Sequence, residues 1–437
     1  MAERPWAGRR IHIVGIGGAG MSAYAIAARA LGAEVSGSDR SESPYLGPLR
    51  AAGVEVAIGH DGANVPDGAE VFHSTAIPAD NPERVAAARR GLADRSRAEL
   101  LGELTTLRKV IAVAGAHGKT TTSSMVAHAL LAAGDDPGYL IGGSLTTTGA
   151  NAAWGSGEWL VVEADESDRS MLSLDVDIAV LTNVELDHHA AYTSVGELEQ
   201  AFAAFLDGAP ERVVASGLEW LAPGGVTTFA PEQLVLTEGG SRFRAEGVEV
   251  ELVVPGEHNA RNAAAALAAC RLAGADVAAA AAALRNFTGA GRRFQPLGAT
   301  PSGARLIDDY AHHPTEVAAT IAAARTLRAR RVVAVFQPHL YSRTAHLHRE
   351  FGAALASADV VCVLDVYPAR ERAEDFPGIT GLLVAEAAAD AAGGREVLWM
   401  PAFEDAEPVL RQRLRDGDLC LILGAGDVDA LGRRLAA

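Results

Sequence analysis

The sequence predicts an α/β protein of three domains, each built on its own mainly parallel sheet. Short apolar strands alternate with helix-length segments along nearly the whole chain. Two glycine-rich loops each lie between such a strand and a helix, where open α/β sheets place their sites. A length of 437 residues holds about three domains at ~150 residues each.

The opening unit, read as 1–98, starts with the strand Arg10–Gly15, a helix Met21–Leu31 closed by Gly32, and the strand Glu34–Asp39; Val54–Ala57 and Glu70–His73 are further strands. The second unit, 99–293, has the strand Lys109–Ala114, a glycine loop and a helix Thr120–Ala133. Buried-strand runs follow at Trp159–Glu163 and Asp177–Val184, then a helix at about Val195–Leu206. Between 211 and 254 the runs shorten and alternate, as in Ser241–Arg244 and Val248–Val254, which predicts antiparallel hairpins appended to the central sheet. An Ala-rich helical region runs from Pro255 to about Leu284. The third unit, 294–437, has strands at Arg305–Asp309, Arg331–Phe336, Asp359–Asp365, Glu396–Met400 and Asp418–Leu423, separated by helices.

Composition narrows the function. A net charge of −17 argues against a nucleic-acid partner and against docking on an anionic membrane. No apolar run approaches the ~18 residues of a membrane span. The first residues lead straight into a strand, so no signal peptide is expected. Cys270, Cys362 and Cys420 lie far apart within apolar patterns, which predicts buried thiols in a reducing cytoplasm. Only two lysines occur, Lys109 and Lys119, among 38 Lys+Arg. Coding bias explains the scarcity but not the places of the two.

The first glycine loop is Gly15-Ile16-Gly17-Gly18-Ala19-Gly20, a G-x-G-x-x-G between strand and helix that lets backbone N–H groups approach a pyrophosphate. Asp39 ends the next strand, where a carboxylate can accept from a ribose hydroxyl; which nucleotide binds stays open. The second loop is Gly115-Ala116-His117-Gly118-Lys119-Thr120-Thr121. It lacks the full Walker A spacing but shares its physics, with amides cradling phosphate, an ammonium for the β/γ charge and a hydroxyl for Mg²⁺. Lys109 precedes a strand and reads as solvated.

Glu163-Ala164-Asp165-Glu166-Ser167-Asp168 puts four carboxylates at a strand end, which suits a hard cation or a solvated loop. In Asn183–His189 the paired histidines read equally as a ligand or as structural. Asn262 is a helix-start amide that can read an adenine edge, and Arg293 stands at a domain boundary where it can reach a phosphate. Asp308–Glu316 and Phe336–Thr344 both follow strands of the third unit.

Together these motifs resemble the Mur ligases of peptidoglycan synthesis, in the branch that adds L-alanine. The matching stretches are VGIGGAGMS (Val14–Ser22), GAHGKTTTS (Gly115–Ser123), EADESD (Glu163–Asp168), TNVELDH (Thr182–His188) and PGEHNARNA (Pro255–Ala263). They continue through GRRF (Gly291–Phe294), DDYAHHPTE (Asp308–Glu316), FQPHLYSRT (Phe336–Thr344) and GAGD (Gly424–Asp427). The resemblance implies an N-terminal Rossmann-like UDP-binding domain, a central P-loop ATPase-type domain and a C-terminal Rossmann-like domain. It implies ATP, UDP-N-acetylmuramate and L-alanine as substrates, two Mg²⁺ ions, and a monomer or homodimer. Gly15, Gly17, Gly18, Ala19, Gly20, Met21 and Ser22 would hold the UDP-sugar phosphates, with Asp39, His60 and Ser74 nearby. Gly115 to Thr121 would cradle ATP and Lys119 would neutralise the transferring phosphoryl group. Thr120, Glu163 and His188 would hold metal. Asn262, Arg293 and Asp309 would meet adenine, phosphate and ribose. Tyr310, His312 and Arg343 would receive alanine.

Two positions depart from the family pattern. Ala116 stands where Thr is common, and Leu340 where many relatives have Arg, so Leu340→Arg is expected to lower KM for alanine. Several sister ligases hold Mg²⁺ with a carbamylated lysine; no lysine follows residue 119, so that device is absent here.

Overall fold

A computed structural model of the chain describes residues 4–187 and 191–437. The chain splits into two compact units. One is Met1–Glu185, Ser194–Ala230 and Asn262–Leu284; the other is Leu186–Thr193, Pro231–Arg261 and Arg285–Ala437.

The first unit holds two sheets. A five-stranded sheet runs in the order Glu55–Ile58, Glu34–Asp39, Arg10–Val14, Glu70–His73, Asp94–Ser96, with every pair parallel. A seven-stranded sheet runs Thr227–Phe229, Glu211–Ala215, Ile178–Leu181, Lys109–Ala114, Trp159–Glu163, Gly138–Leu145, Ala150–Ala153. Only its last pair is antiparallel. Val110 to Ala114 are fully buried, as a central parallel strand covered on both faces must be. In both sheets the reversal of strand order falls beside a glycine loop, which is where such sheets open a crevice.

The second unit holds a three-stranded antiparallel sheet, Glu232–Thr237, Gly240–Ala245 and Val248–Leu252. It also holds a six-stranded sheet in the order Gln295–Ala299, Arg305–Asp309, Asp418–Leu423, Arg331–Phe336, Val360–Val363, Glu396–Trp399. Val332, Ala334 and Phe336 face one core of that sheet, and Val333 and Val335 face the other. Cys362 and Cys420 lie in the second core, and Cys270 is buried elsewhere; all three are free thiols, and burial pushes Cys270 and Cys362 up to about 12.

The architecture matches the α/β expectation, with two local differences. Within 211–254, Glu211–Ala215 and Thr227–Phe229 do extend the central sheet, but as parallel strands, while the antiparallel strands Glu232–Thr237, Gly240–Ala245 and Val248–Leu252 form a sheet of their own in the second unit. Alternation fixes a strand pair's exposed and buried faces but not what those faces meet. The Ala-rich region is two helices, Glu257–Leu272 and Val277–Leu284, because Gly274 takes φ +88° between them and the Asp276 carboxylate accepts from the Ala278 N–H at 2.8 Å to start the second.

Candidate active site

The second glycine loop, Gly115–Thr121, follows the buried strand Lys109–Ala114. Parallel register sets Glu163 beside Val113 and Leu181 beside Ala114, so both neighbouring strands end at the loop. Gly115 takes φ +130° and Gly118 +81°, where any Cβ is strained. A Cβ would also collide, at Gly115 with Thr182 Oγ1 and at Gly118 with Asn262 Oδ1. Asn262 is thereby placed against the loop. The Thr182 hydroxyl and Asn183 Nδ2 donate to the His117 carbonyl at 2.6 and 2.8 Å, and the His117 N–H donates back to Asn183 Oδ1 at 2.9 Å. The His117 ring lies 2.8 Å from Glu185.

Lys119 opens the helix Lys119–Ala133. Its Nζ donates to the Gly115 carbonyl at 2.6 Å and the Ala116 carbonyl at 3.3 Å, and lies 2.9 Å from Glu166 Oε2. Burial opposes the ammonium, but Glu166, Asp165 and Glu163 outweigh it and hold Lys119 above its ordinary value. The backbone at Ala116 supplies a carbonyl, so the side chain that departs from the family pattern is not the part the loop uses. Lys109 pairs on the surface with Glu158.

The acidic strand end corrects a sequence expectation. Its carboxylates do not gather around one cation site. Glu166 pairs with Lys119, while Asp165 and Asp168 accept from Arg97 Nη2 and Nε, each at 2.6 Å. Burial pushes Asp165 up, but Arg97 and Lys119 outweigh it and hold the carboxyl well below the usual range. Glu163 stands beside the loop with Oε1 accepting from the Gly142 N–H at 2.9 Å. Thr120 follows Lys119 and is buried with Thr121. Hard oxygen donors at Thr120 and Glu163, next to a phosphate cradle, fit Mg²⁺. His188 lies outside the described residues.

In the same unit, Gly15 takes φ +82°, and its N–H and that of Ile16 donate to the Ser38 carbonyl. Asp39 Oδ2 accepts from the Gly17 N–H at 2.8 Å, so this carboxylate shapes the loop rather than standing free for a ribose. Gly18 is the N-cap of the helix Ala19–Ala30 and offers no capping side chain, which leaves the first backbone N–H groups open to an anion. The Met21 and Ser22 side chains are buried, and the Ser22 hydroxyl donates to the Ala19 carbonyl at 2.9 Å, so what this turn presents to a ligand is its backbone N–H groups. His60 bonds Ser38 Oγ at 2.9 Å, and Ser74 lies beside Gly15.

In the second unit, Asp309 is buried. Its carboxylate accepts from the Phe294 N–H at 2.8 Å and the Ala311 N–H at 2.9 Å, and burial raises it to about 6. It braces the Arg292–Phe294 turn, whose two end residues both have positive φ, and it is no open ribose acceptor. The Arg292 and Arg293 guanidinium groups lie 5.1 and 5.0 Å from the Tyr310 ring centre. His312 stands edge-on to Tyr310 at 5.3 Å and 3.7 Å from Asp187.

Arg343 departs most from expectation. It is buried, and its Nε and Nη2 donate to the two oxygens of Asp187 at 2.6 and 3.1 Å. A fork already bound to a carboxylate is not free for alanine. Leu340 is buried too, with φ +72°, so it offers a packed, strained backbone position rather than a vacant contact. Arg97 is the residue that sequence reasoning missed. The capping box Ser96–Glu99 marks its helix start, but nothing local marks partners 68 and 71 residues away.

Three family descriptions match the chain in succession: "Mur ligase family, catalytic domain" at 10–109, "Mur ligase middle domain" at 113–216, and "Mur ligase, glutamate ligase domain" at 292–426. The chain is 44% identical over 451 residues to the UDP-N-acetylmuramate–L-alanine ligase of Rubrobacter xylanophilus, covering 98% of this chain and 99% of that one. It is 44% identical over 459 residues to the enzyme of the same name from Streptomyces avermitilis, covering 99% and 97%. Among solved structures, UDP-N-acetylmuramate-alanine ligase MurC from Thermotoga maritima has a TM-score of 0.84 at 28% identity, covering 98% of each chain. A murein peptide ligase from Psychrobacter arcticus has a TM-score of 0.73 at 25% identity, covering 98% of each. Matches that run in one family's order from residue 10 to residue 426, over sheets that end at the two glycine loops, make this chain a member of the Mur ligase family.

Proposed function

We propose that the protein joins L-alanine to the lactyl carboxylate of UDP-N-acetylmuramate, converting ATP to ADP and phosphate, in peptidoglycan synthesis. The observation that carries this reading is identity of 44% along nearly the full length to ligases of that name. The phosphate loop and its buried lysine supply the chemistry such a reaction needs. A lactyl oxygen attacks the γ-phosphorus of ATP, the bond to the β-phosphate oxygen breaks, and ADP leaves an acyl phosphate. The alanine nitrogen then attacks the acyl carbon, loses its proton, and phosphate departs. No enzyme nucleophile is required, so the protein's work is positioning and charge neutralisation.

Amides of Gly115 to Thr121 hold the ATP phosphates, and Lys119 moves from its own loop carbonyl to the transferring phosphoryl oxygens. Asn262 supports the loop beside adenine, and Arg293 meets a phosphate. Mg²⁺, held by Thr120 and Glu163 with His188 for a second ion, would add neutralising charge when bound. Tyr310 and His312 receive the amino acid. Arg343 is a positioning residue that holds the Asp187 carboxylate. We read the reaction as cytoplasmic, since it needs ATP and the chain keeps three free buried thiols. Among the described residues, no helix is long and apolar enough to cross a membrane.

Mass analysis of a reaction with ATP, UDP-N-acetylmuramate and L-alanine tests this. The expected products are UDP-N-acetylmuramoyl-L-alanine and ADP; formation of AMP would refute the acyl phosphate.

A further inference from the structure

We infer that Arg97, with Tyr24 beside it, binds the UDP-sugar substrate by donating to an anionic substrate oxygen above Gly20. This assignment rests on reading the first glycine loop as the UDP-sugar site and extends it to two side chains that the loop motif does not contain.

Arg97 is held rigidly from behind. It opens the helix Arg97–Thr105 after a capping box, in which the Glu99 carboxylate accepts from the Ser96 N–H at 2.8 Å. Its Nε and Nη2 are fixed by Asp168 and Asp165 at 2.6 Å each. Its Nη1 makes no hydrogen bond among the described residues. That nitrogen faces the start of the helix Ala19–Ala30, because a Cβ built on Gly20 would lie 3.7 Å from it. The Tyr24 hydroxyl lies 3.7 Å from the same point. Tyr24 is 6% exposed, and its hydroxyl likewise has no hydrogen-bond partner among the described residues.

Two donors without acceptors therefore converge on one glycine, next to backbone N–H groups that the helix itself cannot satisfy. The donors share one sign: a guanidinium N–H, a phenol O–H and the positive end of a helix all call for an anion. The 3.7 Å spacing is ordinary contact, so the protein's own packing does not demand glycine at position 20. The missing side chain instead keeps the space in front of Nη1 open. Arg97 also links the two glycine loops electrostatically, since Asp165 on its far edge acts on Lys119 as well. Substrate bound at the first loop would thereby be held against the acidic strand end of the phosphate loop.

The anionic oxygen belongs to the pyrophosphate or to the lactyl carboxylate, and titration calorimetry with UDP and with UDP-N-acetylmuramate separates them. Arg97→Gln is expected to weaken UDP-N-acetylmuramate by roughly 10- to 100-fold, as loss of a charge-assisted hydrogen bond does. Tyr24→Phe should weaken it about three- to tenfold, and KM for ATP should stay within about threefold in both. An equal loss for UDP assigns the contact to the pyrophosphate; a loss confined to UDP-N-acetylmuramate assigns it to the carboxylate. Tyr24→Phe removes one oxygen and leaves the ion network intact, so it keeps the test decisive if Arg97→Gln does not fold. Unchanged affinity in Tyr24→Phe, with Arg97→Gln either unchanged, unfolded or raising both KM values together, would overturn the proposal. A wild-type protein that binds no UDP-sugar at all would instead sink the reading of the loop.

Discussion

Lys119 is the residue that the sequence marks most clearly, because one of only two lysines in an arginine-rich chain sits between a strand and a helix. The structure adds that it is held by its own loop carbonyls and Glu166, poised but not exposed. Lys119→Ala should lower kcat by on the order of 10²–10³, measured as phosphate release. Near-normal turnover would remove the phosphate loop from the mechanism. The carboxylates of the acidic strand end were not legible, because their partners are set by tertiary contact: three of them spend their charge on Lys119 and Arg97. Two half-buried histidines carry a pH prediction. Burial lowers His258 to about 4 and His339 to about 3, so both are neutral in the fold near pH 7. Depressed values mean that the unfolded chain takes up protons first as pH falls. Their stabilisation is full above about 6.5 and is lost on acidification toward 4. Asp309, raised to about 6, works in the opposite sense within the same window. Melting temperature should therefore fall from pH 6.5 to 4, and His258→Asn should fall less steeply than wild type. Parallel curves would show that His258 does not titrate as described.

Elements were legible where burial is complete on both faces. The strands Lys109–Ala114, Trp159–Glu163 and Arg331–Phe336 read directly as apolar runs. Gly138–Leu145 and Ala150–Ala153 did not, since Gly, Ala and Ser carry little strand signal and their pairing supplies it instead. Loops follow the same division. Glycines at 115 and 118 were recognisable as a tight strand-to-helix loop, but the walls they press on, Thr182 and Asn262, become neighbours only in the fold. Gly115→Ala should raise KM for ATP at least tenfold and lower the melting temperature, through both φ and collision; an unchanged KM would mean that the loop relaxes freely. At the helix Tyr341–Leu355, Arg343→Met removes both guanidinium hydrogen bonds to the buried Asp187 carboxylate, at a cost of on the order of 3–5 kcal/mol in denaturant unfolding. A loss below about 1 kcal/mol would show that the pair is solvated. The expected gain from Leu340→Arg is revised: with its side chain packed and its backbone at φ +72°, the substitution should lower stability without lowering KM for alanine.

At the scale of the whole molecule, length and strand–helix alternation were enough to predict an α/β protein with several sheets, and the chain folds into two compact units carrying four of them. Which sheet the hairpins would join was not written in their alternation. The lysine count is a whole-chain property with a chemical consequence: with no lysine after residue 119, no carbamylated lysine can serve as a metal ligand in that part of the chain. What the molecule joins is open to direct measurement. Phosphate release with ATP and UDP-N-acetylmuramate, run in parallel with L-alanine, L-serine, glycine and a murein tripeptide, tests it most directly. Release should require both co-substrates and be fastest at low concentration with L-alanine. A clear preference for the tripeptide, or release without UDP-N-acetylmuramate, would contradict it.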